Sequence, residues 1–208
     1  YKLDEIESKI CMYRFKNSKI KLVLSKTPFY AESGGQIGDL GEIVSDNFIF
    51  NVDDTYMDGD KICHLGTVKK GDISEMANVN VMSKINFIRR GKIKSNHTGT
   101  HLLHKALKMV LGNHVQQAGS LVSDEKLRFD LTHYQKIENN EIIEIENIVN
   151  RIIRENIILN VSHSSFEDAK KTGAEALFGE KYGDKVRIVD ISGFSKELCG
   201  GTHVNATG

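Results

Sequence analysis

The chain has no excess of either charge: among its 208 residues, 28 Lys and Arg face 28 Asp and Glu. A free-standing nucleic-acid binder takes most of its affinity from phosphate contacts and carries a positive excess. If this chain meets RNA, something else therefore holds most of that RNA. Long apolar runs are also missing. None approaches the roughly 18 residues of a bilayer-spanning helix, and no signal peptide precedes the first strand-like segment, so no membrane association is expected. Cysteine is scarce. Cys11, Cys63 and Cys199 are odd in number and far apart, which argues against a disulfide framework and for a reducing cytoplasm. Proline occurs once, at Pro28. There is no internal repeat, no low-complexity tract and no sign of a dinucleotide site.

What is present is an ordinary soluble composition, 39% hydrophobic and 27% charged, long enough for one large domain or two small ones. The chain opens at Tyr1 without a methionine and stops at Gly208 directly after its most informative motif. It reads as a piece of something larger.

Two segments of different character follow one another. Ile20 to Leu24, Gly41 to Val44, Phe48 to Val52, Ile62 to Val68 and Val79 to Phe87 are β-branched or alternating runs. Asp58-Gly59-Asp60 and Lys70-Gly71-Asp72 punctuate them as turns. Residues 1–90 are thus expected to form a small β-rich, barrel-like subdomain. A basic stretch follows, Arg89, Arg90, Lys92 and Lys94. Asn96 can cap a helix from about His97 to Leu111, which Gly112-Asn113 can end. Ala118 to Val122 and Leu127 to Leu131 read as strands. Asn140 to Glu155 reads as a helix with Ile142, Ile145, Val149 and Ile152 on one face. Ile157 to Val161, Glu167 to Lys171 and Val186 to Ile191 read as strand, short helix and strand. Residues 91–208 are expected to be α+β, with helices packed on an antiparallel sheet.

Chemistry concentrates in two places. In His97-Thr98-Gly99-Thr100-His101 the histidines stand four apart at a helix start, so both imidazoles can reach one metal ion. On a helical wheel, Leu102, Leu103, Ala106, Leu107, Val110 and Leu111 fall between roughly 140° and 320° from His97. His97, His101 and His104 cluster near zero with Lys108, opposite that stripe, and are expected to line an outward or cleft-facing surface. The wheel does not say which pair binds, because His101 and His104 are also neighbours; a chance surface pair is the plainer alternative. The second place is Cys199-Gly200-Gly201-Thr202-His203. Two adjacent glycines favour a tight loop that can turn a thiolate and an imidazole toward one point. The alternative is a buried small cysteine beside a turn. Together the clusters make a tetrahedral zinc set plausible. A zincin protease is excluded because Thr98 stands where its glutamate belongs, and a zinc finger would bring more cysteines.

Three motifs in order carry a family resemblance: Thr27-Pro28-Phe29-Tyr30-Ala31-Glu32-Ser33-Gly34-Gly35-Gln36, Asn96-His97-Thr98-Gly99-Thr100-His101-Leu102-Leu103, and Cys199-Gly200-Gly201-Thr202-His203. They resemble the alanyl-tRNA synthetase editing domain from about Leu22 to Gly208. Free-standing alanine editing proteins share the zinc pattern, and the threonyl-tRNA synthetase editing domain is a more distant relative. The resemblance implies that His97, His101, Cys199 and His203 hold zinc, with His104 and His114 outside the ligand set. It implies that Gln117 lies in the editing pocket and that Leu127-Arg128-Phe129-Asp130 supports it.

The resemblance also implies hydrolysis of seryl- and glycyl-tRNA for alanine. A pocket sized for alanine gains only about 1–3 kcal/mol of discrimination from one methyl group, so a second hydrolytic site raises fidelity. Gln117 and Cys199 are the catalytic candidates, and Thr202 and Gln117 the substrate-binding ones. Arg89, Arg90, Lys92 and Lys94 are candidates for the tRNA acceptor stem, with a solvated loop as the alternative. The partners implied are that acceptor end and the rest of an ATP-using parent synthetase. Four protein ligands normally mark a closed structural zinc site, so the metal either fixes geometry or frees a position for chemistry. The rival functions are a free-standing trans-editing deacylase and a zinc-stabilised RNA-binding module without catalysis. Gly34-Gly35-Gln36 also occurs in peptide-release factors, but the longer match favours a structural loop.

Overall fold

Alternating apolar residues build the first part of the chain in the computed structural model, which describes residues 3–16, 18–71, 79–176 and 183–208. Strands β1 (Glu5–Lys16), β2 (Lys19–Leu24), β3 (Gly41–Val44), β4 (Phe48–Asp58), β5 (Lys61–Gly71) and β6 (Asn80–Ile85) close into a barrel in the order β1-β2-β5-β4-β3-β6. Every pairing in it is antiparallel. Its interior is filled by Ile10, Leu22, Phe29, Ile43, Phe50 and Val52, among others, as alternation across a closed sheet requires. Of the expected turn at Lys70-Gly71-Asp72, Asp72 lies outside the described residues.

The Gly-Gly-Gln segment is a tight hairpin turn. Ser33 and Gln36 exchange backbone bonds of 3.1 and 3.0 Å, and Gly34 and Gly35 both take positive φ, 57° and 80°, which side chains disfavour. Gln36 is buried. A buried glutamine suits the structural-loop reading.

The chain divides into two units, Tyr1–Gly91 and Lys92–Gly208. The boundary falls inside helix α1 (Phe87–Leu111), which begins ten residues before the expected start. Asn86, not Asn96, is the cap: its Oδ1 accepts from the Arg89 amide at 3.0 Å, as an N-cap side chain does. The strand expected to reach Phe87 consequently stops at Ile85. Asn96 sits inside the helix and donates from Nδ2 to the Ser123 carbonyl at 2.8 Å.

In the second unit, β7 (Gln116–Val122) and β8 (Leu127–Thr132) form a two-stranded sheet. Helix α2 (Asn139–Glu155) leads to β9 (Leu159–Ser165), short helix α3 (Phe166–Lys171), β10 (Lys185–Ile191) and β11 (Ser195–Leu198). The last three strands make an antiparallel sheet ordered β11-β10-β9. Ile145 and Ile152 of α2 are buried as expected, whereas Ile142 is 42% exposed. Leu102 of α1 packs with Ile152, Leu159, Val189 and Ile191. Ala106, Leu107 and Leu111 pack with Val115 and Ile145, against Phe129 and Leu131. The segment after β11 is anchored too, since Leu159 N donates to Asn205 O at 2.9 Å and Thr207 N to Ile157 O at 3.0 Å.

Candidate metal centre

Helix α1 presents His97 and His101 one turn apart, and the loop after β11 brings Cys199 and His203 to them. All four are buried, and their donor atoms lie within 4.8 Å of one another. Cys199 Sγ stands 3.4 Å from His97 Nε2 and 3.3 Å from His203 Nε2. A tetrahedral zinc with bonds near 2.3 Å to sulfur and 2.0 Å to nitrogen separates such atoms by about 3.5 Å. The ring centroids of His97 and His203 are 4.4 Å apart, those of His101 and His203 4.9 Å. Three imidazoles and a thiolate, converging without intervening side chains, fit a borderline-soft divalent ion.

The loop is held from three sides. Cys199 N donates to Arg187 O at 3.0 Å, and Arg187 Nη1 donates to the Cys199 and Gly201 carbonyls at 2.9 and 2.6 Å. The Thr98 hydroxyl accepts from Val204 N at 3.3 Å and lies 3.2 Å from His203 Nδ1. That contact leaves His203 Nε2 to face the sulfur. Glu197 Oε2 lies 2.6 Å from His101 Nδ1, and Oε1 lies 3.3 Å from His104 Nδ1.

The electrostatics favour a thiolate. Burial alone would push the Cys199 thiol up, but the charge on His101 and hydrogen bonds from His101, His203 and His97 hold it well below the usual thiol range. Burial opposes a charge on His101 as well, and is outweighed by the Glu197 and Cys199 charges beside it, which raise its pKa. Burial pushes His203 down to about 3, so it is a neutral imidazole. For Glu197, burial would raise the carboxyl, yet His101 and His104 keep it well below the carboxylate range.

Other expectations fare differently. Of the outward or cleft-facing placement expected for the histidine stripe, the outward alternative fails: His97, His101 and His104 are all buried, because loop 199–203 and β11 cover the face opposite the leucine stripe. His104 meets Glu197 and, ring to ring at 5.3 Å, Phe129. His114 is exposed and bonds His133 at 2.9 Å. Lys108 pairs with Glu175. Thr202 is buried within the loop. Half-buried Gln117 lies on β7 and donates to Ser120 Oγ at 3.3 Å. The basic stretch is helical, and its members diverge. Arg90 is only 1% exposed; its guanidinium is bound to the Asp39 carboxylate and to the Pro28 carbonyl at 2.9 Å. Arg90 is thus directed at Asp39 and Pro28 rather than at solvent. Arg89 donates to Gly38 O at 2.8 Å while staying half-exposed; Lys92 is exposed and Lys94 partly so.

Sequence reasoning passed over Glu197, Arg187 and Thr98. The one available signal for Glu197 was its place two residues before Cys199 at a strand end, where side chains return to the same face.

The barrel and the unit that brings these imidazoles together each carry a match to a tRNA synthetase family. Residues 6–86 match the family described as tRNA synthetases class II (A). Residues 186–208, including Cys199 and His203, match the threonyl and alanyl tRNA synthetase second additional domain. The chain belongs to the alanyl-tRNA synthetase family and covers its editing region. It is 51% identical over 209 aligned residues to an alanine--tRNA ligase of Fusobacterium nucleatum, covering 100% of this chain and 24% of that protein. It is 50% identical over 188 residues to one of Thermoanaerobacter sp., covering 90% and 21%. For one of Legionella pneumophila the values are 48% over 193 residues, 93% and 22%. The chain thus spans less than a quarter of the length of these relatives.

Proposed function

We propose that this chain is a hydrolytic editing region that cleaves seryl- and glycyl-tRNA for alanine at the terminal adenosine ester. The observation that carries the reading is the convergence of His97, His101, Cys199 and His203 at one buried point in a chain of this family. The donor set suits zinc, which when bound supplies a fixed positive charge that organises the pocket and polarises a nearby oxygen. Cys199, held as a thiolate, and the neutral His203 give the charge a matched surround. Thr202, in the same loop, and Gln117, on β7, are the groups assigned to the serine hydroxyl or the attacking water. Water adds to the ester carbonyl and the ribose oxygen leaves with a proton, releasing free amino acid and intact tRNA. Arg89, Lys92 and Lys94 remain for acceptor-stem phosphates; the parent synthetase, acting in the cytoplasm, would hold the rest of the tRNA.

The test is release of labelled serine or glycine from mischarged tRNA by the zinc-loaded chain, with alanyl-tRNA as control. Serine release well above the spontaneous rate, with alanine spared, is the expected result. A folded, zinc-loaded chain that binds the tRNA but releases nothing would overturn the reading. It would favour the second one, a zinc-stabilised RNA-binding module, which the complete burial of all four donors supports.

A further inference from the structure

Glu197 is not one of the four clustered donors, yet it contacts one of them and is itself gripped by two other side chains. It is 3% exposed. Its Oε2 accepts from His101 Nδ1 at 2.6 Å. Its Oε1 accepts from His104 Nδ1 at 3.3 Å and from the Ser195 hydroxyl at 3.0 Å. The carboxylate is therefore fixed in place by three donors from two elements, α1 and β11.

Once metal binding has displaced the Nε2 proton, a neutral imidazole that donates its Nδ1 hydrogen bond to a carboxylate keeps its lone pair on Nε2, the nitrogen left to face the metal cluster. The other tautomer would aim the Nδ1 lone pair at the carboxylate oxygen and forfeit a charge-assisted bond. His203 has no such constraint, because the Thr98 hydroxyl at its Nδ1 can donate or accept. His104 lies one helical turn from His101 on the same face and touches the carboxylate from the far side.

We propose that Glu197 is a positioning residue that sets His101 as an Nε2 ligand, and that His104 braces Glu197 without touching the metal. The inference rests on the metal reading of this site and not on its substrate. Carboxylates behind metal-bound histidines typically contribute about 10- to 100-fold in affinity.

The experiment uses the full chain with Glu197→Ala, Glu197→Gln and His104→Phe. Zinc affinity is measured by competition with a chromophoric chelator, the coordinating nitrogen and tautomer of each histidine by long-range proton–nitrogen NMR of the zinc-loaded protein, and folding by circular dichroism. Glu197→Ala is expected to weaken zinc binding about 10- to 100-fold and to lose the single His101 tautomer. Glu197→Gln, whose carbonyl can still accept from His101, should recover part of both, and His104→Phe should show a smaller loss. Folded Glu197 variants with wild-type affinity and an unchanged His101 tautomer overturn the proposal. If Glu197→Ala does not fold, Glu197→Gln decides alone. A wild-type chain that takes up no zinc overturns the metal reading, and this proposal with it.

Discussion

Cys199 is the single side chain whose loss separates the readings of the centre most cleanly. It is the only sulfur among the four donors and stands within 3.4 Å of two imidazoles. Cys199→Ala should leave a three-histidine set that holds zinc more weakly, and should cut seryl-tRNA deacylation by at least about tenfold if the thiolate organises the pocket. Metal content and released serine check this, and undiminished hydrolysis would remove the thiolate from the mechanism. A second residue makes a prediction about pH. His64 is buried in the barrel between Thr27 and the Leu22 carbonyl, and burial pushes its pKa down to about 4 from 6.5. Above pH 6.5 it is neutral in both folded and unfolded chains. As the pH falls from 6.5 toward 4, only the unfolded chain takes up the proton, so stability declines, by up to about 3 kcal/mol for this group, and then levels off. Urea titrations across that range should show His64→Gln losing less stability than wild type; parallel pH profiles would contradict the assignment. At this scale the two clusters were legible, because histidines four apart and a cysteine–glycine–glycine loop are local patterns, but the helical wheel left His104 open and only the family resemblance implied the set of four. Glu197 was not, since a lone glutamate on a short strand looks like any surface charge until His101 and His104 are seen to point at it.

Two glycines show how differently one residue type serves different elements. A side chain on Gly66 in β5 would place its Cβ 1.8 Å from the Asn51 carbonyl oxygen of β4, a backbone atom that cannot move aside without breaking the barrel ladder. On Gly91 in α1, a Cβ meets nothing within 4 Å. Gly66→Ala should therefore destabilise the chain by more than about 2 kcal/mol through forced displacement of the sheet. Gly91→Ala should stabilise it by about 0.5–1 kcal/mol through helix propensity. Thermal melts of the two variants should shift in opposite directions, and a loss at Gly91 would contradict the helix running through it. This helix is also where local reading fell short. Asn86 and Asn96 are both competent caps, and an exposed glycine between them weakens the helical signal of residues 87–96. Strand β1 escaped notice because its exposed Glu5, Glu7 and Lys9 alternate with a buried Ser8, which satisfies itself on the Lys26 carbonyl at 2.7 Å.

At the scale of the molecule, all four donors belong to the unit Lys92–Gly208. Metal binding should accordingly stabilise that unit in proportion to the logarithm of zinc concentration over Kd. Hydrogen exchange with and without a strong chelator should show faster exchange in β9, β10, β11 and the 97–104 stretch of α1 on metal removal. Equal acceleration throughout barrel strands β2, β4 and β5 would argue against two separately responding units. The α+β class with a barrel ahead of it was readable from strand spacing and helical periodicity. The burial of the histidine face was not, because one helical wheel shows which residues share a face but not what later chain will cover it. Among the described residues, no helix is long and apolar enough to cross a membrane.

The thiolate follows His97 by 102 positions. A ribosome adding about 5–20 residues per second exposes the histidine pair roughly 5–20 s before its complement exists. Metal capture by all four groups therefore waits for synthesis of the 199–203 loop. A nascent product stalled ahead of Cys199 would hold an ion through two imidazoles alone and surrender it readily to a competing chelator, so retention of zinc reports that translation has passed His203.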